Sequence, residues 1–219
     1  LVSPFEDSVS ISVDGFGDFS SAAWGVCSGN TISVDKRVFF PHSLGIFYQA
    51  LTQFIGFPHY GDEYKVMGLA PYGKPTYLEQ LRKVVHINTD GTFKLNLNYF
   101  RHHNEKIEHE WASGSPEVGS LSNQKELEEL LGFSMRAKDS PLDHRHYDLA
   151  YSIQAMYEEA FFNLLEITHA KYSVNQLTLA GGCAMNSVAN GKIYRRAPFK
   201  QVYIQSAAGD AGGAIGAAF

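Results

Sequence analysis

The sequence predicts a domain of the α/β class, and two patterns carry that prediction. Near the start of the chain, three stretches of alternating polar and apolar residues follow one another with turn residues between them, as the strands of a meander do. In the last third of the chain, short apolar strands alternate with helical segments, an order that is typical of a parallel sheet.

The meander is predicted at 8–13, 20–25 and 31–39, and the D-G-x-G string that starts at Asp14 is expected to break the first strand. A helix should follow, because apolar side chains then recur at helical spacing, at Leu44, Phe47, Leu51 and Phe54. Gly56 is expected to end that helix.

The segment 56–145 is rich in Gly, Pro, Asn and His and is predicted to be an α+β insertion into the domain. Inside it, the dipeptide Asp90-Gly91 between two apolar stretches indicates a β-hairpin. A short helix is expected at 124–131.

The last third is predicted to begin with a helix of several turns from Asp148, whose apolar residues form one stripe. Strands are expected at 177–180 and 201–204, and helices at 185–194 and from Gly212 onward.

Composition, charge and cysteine count narrow the classes of protein to which the chain can belong. The 219 residues are 44% hydrophobic, enough for a sizeable core, and the net charge of -5 with a pI near 6.0 gives no basic surface for nucleic acid. No apolar run is long enough to cross a membrane. Two cysteines cannot build a disulfide framework, and a reducing cytoplasm is expected.

The chain starts without methionine and stops inside a small-residue run, so a fragment of a longer protein is expected.

Asp14 is the first candidate for chemistry. It is predicted to stand at the end of a strand beside Gly15 and Gly17, which would let a backbone approach a phosphate closely. An ordinary hairpin turn would have the same residues.

The second candidate is the string Leu179-Ala-Gly-Gly-Cys-Ala-Met-Asn186, in which a buried strand runs into two glycines and a predicted helix start. Ligands of α/β sheets bind at such positions, and tight packing between strand and helix is the alternative.

The third candidate is Asp210, which follows Gly209 at the start of a helix of very small residues. Asp210 could serve only as a helix N-cap. Together with Asp14 it could instead hold a hard or borderline metal ion.

Taken together, these strings resemble one family. Its motifs match five segments, Val13-Asp-Gly-Phe-Gly17, Gly61-Asp-Glu-Tyr-Lys-Val-Met-Gly-Leu-Ala-Pro-Tyr-Gly73, Asp148-Leu-Ala-Tyr-Ser-Ile-Gln154, Ala180-Gly-Gly-Cys-Ala-Met-Asn186 and Gly209-Asp-Ala-Gly-Gly-Ala-Ile-Gly-Ala-Ala218. The chain is similar over nearly its whole length to the NodU/CmcH carbamoyltransferases, which modify nodulation factors and antibiotics.

The resemblance implies a ribonuclease-H-like domain of the actin, hexokinase and heat-shock-chaperone superfamily, with a mixed sheet and helices on both faces. Residues 1–219 would be part of one such domain, with core segments 1–55 and 146–219 and the insertion at 56–145.

The resemblance also implies a reaction. Carbamoyl phosphate and ATP would give carbamoyladenylate, and the carbamoyl group would pass to a hydroxyl of a small natural product near a divalent metal, expected to be iron(II). A YrdC-like domain would follow this segment, and a homodimer is an open possibility. The resemblance does not disclose the acceptor.

Residue by residue, the resemblance assigns Asp14 and Asp210 to the metal and to catalysis. It assigns eight residues to the nucleotide, Glu63 and Lys65 with less support than the others: Gly15, Gly17, Glu63, Lys65, Gly181, Gly182, Asn186 and Gly209.

One departure matters. The family's other metal ligands are an H-x-x-x-H pair, and no two histidines here have that spacing, so the pair is expected upstream of Leu1. Two other functions stay open: a threonylcarbamoyl or hydrogenase-maturation transferase, and a nucleotide-binding module without catalysis.

Overall fold

The computed structural model describes residues 2–111 and 114–219, and it has the predicted mixed α/β architecture. Its strands are β1 (Asp7–Gly17), β2 (Ser20–Ser28), β3 (Thr31–Phe39), β4 (Val85–Ile87), β5 (Phe93–Leu95), β6 (His109–Glu110), β7 (Glu117–Val118), β8 (Gln176–Ala180) and β9 (Gln201–Ile204). Its helices are α1 (Leu44–Phe54), α2 (Glu63–Leu69), α3 (Leu78–Leu81), α4 (Gln124–Leu131), α5 (His144–Tyr172), α6 (Ser187–Asn190), α7 (Ile193–Arg196) and α8 (Gly213–Ala218). Short 3-10 helices lie at Ala70–Tyr72, Leu97–Tyr99, Gly182–Met185 and Asp210–Gly212.

The main sheet has the strand order β3-β2-β1-β8-β9. The first three strands pair antiparallel, which confirms the meander, while β8 runs parallel to both β1 and β9. Because the carboxyl ends of parallel strands meet at one side of a sheet, the connections after β1, β8 and β9 leave the sheet at the same side.

Alternation of apolar residues places one face of this sheet in a core. Val9 and Ile11 are fully buried in β1, and in the parallel register they stand opposite Leu177 and Leu179 of β8. Burial of such side chains contributes about 1.5–3 kcal/mol each relative to exposure.

The predicted break of the first strand at Asp14 is wrong, because β1 continues to Gly17. The pairing with β2 becomes irregular there: it passes from Val13 opposite Ala22 to Gly17 opposite Ser20, so four steps on β1 face two steps on β2. The extra residues are accommodated as a bulge, which re-aims side chains without ending the strand.

The predicted continuous helix at 185–194 is also wrong. The chain there forms a 3-10 turn and then two one-turn helices, α6 and α7. Asn186 has a non-helical ψ of 88° and accepts a hydrogen bond from the amide of Ala189, so it starts a new helix in the middle of the predicted one.

The other predicted elements are confirmed. Helix α4 and strands β3 and β9 have the predicted bounds, and α1 ends before Gly56, whose φ is +89°. Gly91, with φ of +85°, lies in the turn between β4 and β5, which form a two-stranded sheet. Within 2–111 and 114–219, no helix has the length and apolarity to cross a membrane.

The chain divides into two compact units. Unit 1 consists of Leu1–Gly45, Ile87–Phe93 and Ala160–Phe219, and unit 2 consists of Ile46–His86 and Lys94–Glu159. Each has its own buried side chains: in unit 1 these include Val9, Ile11, Trp24, Phe161, Leu164 and Leu177, and in unit 2 Phe47, Phe54, Val66, Leu81, Leu127 and Leu149. The predicted division into core segments and an insertion stays a prediction.

Candidate functional site

Asp14 lies in the irregular part of β1, just after the last regular pair with β2. Its residue is half-buried, and its Oδ1 accepts a hydrogen bond of 2.7 Å from the amide of Gly15. The bulge thus holds the carboxylate at the side of the sheet where the parallel strands end.

Gly181 follows β8 at that same side and has to be glycine. Its φ is +91°, and a Cβ there would lie 2.2 Å from the carbonyl oxygen of Val13. Its amide donates a 2.8 Å hydrogen bond to the carbonyl of Ala208. The connections after β8 and β9 are therefore tied together, and the first of them is pressed against β1.

Gly182 and Gly209 bring these connections next to Asp14. A Cβ on Gly182 would lie 3.0 Å from Asp14 Oδ1, and a Cβ on Gly209 would lie 3.9 Å from the Cα of Gly182. We call Asp14, Gly181, Gly182 and Gly209 the glycine edge. It combines one carboxylate with backbone that carries no side chains, which is a surface that a phosphate can approach closely.

Gly15 and Gly17 differ from these glycines. A Cβ on either would meet nothing within 4 Å among the described residues. Neither has a positive φ, so packing does not require glycine at these two positions. Their assignment to a nucleotide stays a prediction.

Asp210 is the first residue of a 3-10 helix and is exposed. The N-cap of that helix is Gly209, so the alternative of Asp210 as the capping residue is wrong. The helices that begin at Gly182 and at Asp210 are 3-10 turns of four and three residues. They are too short to build up much helix dipole.

Asn186 is 7% exposed, and its Oδ1 accepts from the amide of Ala189 at 3.0 Å. This contact gives Asn186 a structural role as the N-cap of α6. Its assignment to a nucleotide stays a prediction.

Glu63 and Lys65 lie in unit 2, on the first turn of α2. The ammonium group of Lys65 is 2.6 Å from Asp62 Oδ1 and 5.0 Å from the ring centroid of Phe57. Asp62 is 6% exposed and also accepts from the amide of His59 at 3.2 Å. We call His59, Asp62, Glu63 and Lys65 the charged corner.

Burial is the main cause that raises the pKa of the Glu63 carboxyl above its usual value, and the nearby Asp62 charge adds to it. Hydrogen bonds from the backbone amide groups of Glu63 and Gly61 partly oppose this shift. A half-buried carboxyl with a raised pKa is a feature of functional sites, although structural carboxyls also show it.

Comparison with known proteins settles the family. The family model described as carbamoyltransferase N-terminus matches residues 1–219. The chain belongs to this carbamoyltransferase family. It is 39% identical over 217 residues to the uncharacterized protein sll1178 of Synechocystis sp.. The aligned region covers 99% of this chain and 33% of that protein.

Two nodulation proteins are further relatives. The chain is 33% identical to nodulation protein NolO of Bradyrhizobium diazoefficiens, over 99% of this chain and 35% of NolO. It is 32% identical to nodulation protein NolNO of Sinorhizobium fredii, over 99% of this chain and 28% of NolNO. The chain thus spans about a third of the length of these relatives.

A cavity of about 310 Å³ adjoins the glycine edge on unit 1. Gly209, Gly212 and Gly213 line one side, and the side chains of Ser10, Thr178 and Tyr203 line the sheet side. Among the described residues, the lining of this cavity includes Gly209 but not Asp14 or Gly182. The cavity is therefore beside the carboxylate of Asp14 rather than around it.

Sequence reasoning missed Asp62 at the charged corner. The resemblance drew attention to Glu63 and Lys65, yet the carboxylate that holds Lys65 is that of Asp62, three residues before it. The i,i+3 spacing of Asp62 and Lys65 on a helix start was visible in the sequence and would have indicated the pair.

Proposed function

We propose that this chain is the nucleotide- and metal-binding part of an ATP-dependent O-carbamoyltransferase. Family membership supports carbamoyl transfer, and the glycine edge is the observation that carries the proposal. There, Asp14 Oδ1 lies 3.0 Å from the position of a Cβ on Gly182, so a carboxylate and backbone without side chains meet where three strands end.

We also propose that unit 1 has the ribonuclease-H-like fold of the actin, hexokinase and heat-shock-chaperone superfamily. The strand order β3-β2-β1-β8-β9, with three antiparallel strands followed by two parallel ones, supports this assignment. In such a fold the nucleotide would bind where the parallel strands end.

In the proposed reaction, the protein would bind carbamoyladenylate made from carbamoyl phosphate and ATP. The phosphate would lie against the backbone of Gly182 and Gly209, because glycine has no side chain to keep a phosphate from the main-chain amide groups. The acceptor hydroxyl of a small natural product would attack the carbamoyl carbon and lose its proton, the bond from that carbon to the phosphate oxygen would break, and AMP would leave. The negative charge that develops on the carbamoyl oxygen then requires nearby donors or a cation.

Asp14 and Asp210 would supply oxygen ligands to a divalent metal, with iron(II) expected. Their carboxylates suit a hard or borderline cation in type, and a bound metal would supply Lewis-acid polarisation of the carbonyl. In number they do not suffice: within 2–111 and 114–219 no group of three or more His, Cys, Asp or Glu side chains could hold a metal. Further ligands would come from other parts of the protein.

The test is substitution of the carboxylates in the full-length protein. Asp14→Ala and Asp210→Ala should each lower transfer from radiolabelled carbamoyl phosphate, with ATP, to a panel of hydroxylated natural products by about 100-fold or more. Asp7→Ala is the matched control, since Asp7 is exposed at the start of the same strand as Asp14.

Unchanged turnover in Asp210→Ala would refute its role at the metal. Binding of ATP by the wild-type protein without transfer to any acceptor would favour a nucleotide-binding module without catalysis.

A further inference from the structure

The segment from Phe40 to Gly45, which includes the first two residues of α1, lies along the β1–β2 turn of unit 1. The amide of Phe40 donates a 2.8 Å hydrogen bond to the carbonyl of Phe19, and the rings of Phe16 and Phe40 are 5.3 Å apart. These contacts place the start of α1 next to the residues that follow Asp14.

Ser43 connects this segment directly to Asp14. The side chain is fully buried, and its Oγ donates a 3.0 Å hydrogen bond to the carbonyl oxygen of Asp14. A buried hydroxyl that bonds a main-chain carbonyl restricts the peptide that carries it, because breaking the bond leaves a desolvated acceptor.

Gly45 packs against the same peptide with no space for a side chain. A Cβ on Gly45 would lie 2.7 Å from the amide nitrogen of Gly15 and 2.9 Å from the carbonyl carbon of Asp14. Both contacts involve backbone atoms, so an added methyl group would have to displace the Asp14–Gly15 peptide.

The contacts of Ser43 and Gly45 matter because regular pairing of β1 with β2 stops at the Asp14–Gly15 peptide. The pairing of β1 with β2 is irregular between Val13 and Gly17, so the Asp14–Gly15 peptide lies outside the regular antiparallel ladder. The Asp14 carboxylate faces Gly182, and its direction follows the orientation of this peptide.

We propose that Ser43 and Gly45 are positioning residues, which hold the Asp14 peptide so that its carboxylate faces Gly182. The inference rests on the proposed carbamoyl transfer for its catalytic consequence. It does not require Ser43 or Gly45 to touch substrate.

The experiment compares two pairs of variants in the full-length protein. Ser43→Ala and Gly45→Ala remove the hydroxyl and add the methyl group next to Asp14. Gly68→Ala is the control for Gly45→Ala, because Gly68 is also helical and a Cβ there would meet nothing within 4 Å. Ser8→Ala is the control for Ser43→Ala, because Ser8 is fully buried and its Oγ has no hydrogen-bond partner among the described residues.

Two readouts are needed. Hydrogen exchange of peptides covering 14–19 reports how firmly the irregular end of β1 and the turn after it are held. Steady-state kinetics reports carbamoyl transfer. In Gly45→Ala and Ser43→Ala, exchange at 14–19 should accelerate while the rest of unit 1 is unchanged. The kcat should fall about tenfold or more with KM for ATP within about twofold, since a small misplacement of a reacting group lowers the rate strongly. Both controls should match the wild type.

Unchanged exchange at 14–19 in Gly45→Ala overturns the inference. Exchange that accelerates equally throughout unit 1 also overturns it, because that pattern reports general destabilisation. Failure of the proposed function is distinguishable: the wild-type protein would then show no carbamoyl transfer, or Asp14→Ala would keep wild-type turnover. The exchange data would still decide whether Ser43 and Gly45 hold the Asp14–Gly15 peptide.

Discussion

The glycine edge of unit 1 and the charged corner of unit 2 contain six of the ten predicted site residues, and different interactions fix these residues in the two places. At the glycine edge the backbone connections approach one another because side chains are missing: Gly181 presses on Val13, and Gly182 leaves space for Asp14. At the charged corner, Lys65 is held by the Asp62 carboxylate and an aromatic ring.

The difference shows that two motifs of one family can require their residues for different physical reasons, backbone packing in one and charge in the other. A glycine in close backbone contact tolerates no substitution, whatever the ligand. A partly buried ion pair such as that of Lys65 with Asp62 tolerates substitution better, because the remaining partner can reach water. Substitutions that separate packing from charge can therefore break or sharpen the comparison.

The largest effect is expected for Gly181→Ala at the glycine edge. The new methyl group would meet the Val13 carbonyl at 2.2 Å in a backbone with φ of +91°. We expect a loss of about 3–5 kcal/mol in the free energy of unfolding, measured by chemical denaturation. Gly29→Ala is the control, because Gly29 has φ of +53° but open space around it, and should lose only about 1 kcal/mol. Equal losses in the two variants would show that the close contact with Val13 is unimportant.

A smaller effect is expected for Asp62→Ala at the charged corner. It removes the partner of Lys65 and the acceptor of the His59 amide, and we expect a loss of about 1–3 kcal/mol. Glu79→Ala removes an exposed partner of Arg82 and should change stability by about 0.5 kcal/mol or less. If thermal unfolding shows the same small change for both, Asp62 does not organise the corner.

The smallest effect is expected for Glu63→Gln, and it depends on pH. Because the pKa of Glu63 is raised in the folded protein, its contribution to stability is present below the unfolded value of 4.5 and is lost as pH rises through the folded pKa. Above the folded pKa the ionised wild-type side chain is desolvated, so the glutamine variant should be more stable there, by about 1 kcal/mol or less.

The advantage of Glu63→Gln should disappear as pH falls below 4.5, which denaturation curves across this range would show. A difference between the proteins that stays constant with pH would mean that the titration of Glu63 is not its cause.

Periodicity predicted much of the fold. The strands at Thr31–Phe39 and Gln201–Ile204 and the helix at Gln124–Leu131 have their predicted bounds, because each combines a clear repeat with turn residues at both ends. It failed at β1, where a bulge continues the strand past Asp14, and at Asn186, where a side-chain cap restarts a helix. Both depend on tertiary or side-chain hydrogen bonds that a repeat does not encode.

The glycine edge was partly predictable from the order of the strands and the glycine strings that follow them. Parallel strands bring Asp14, Gly182 and Gly209 to one side of the sheet, and the glycine strings marked those positions. Ser43 was not predictable, since a serine before a helix usually indicates an N-cap, whereas its hydroxyl here donates to the Asp14 carbonyl.

The hydrogen bond from the Gly181 amide to the Ala208 carbonyl has a consequence for engineering. It joins two connections that are separated by more than twenty residues of sequence, so a change in the length of one would disturb the other. A graft that replaces one connection with that of a relative would pull on the other. Chimeras should therefore exchange both connections together, as one cassette.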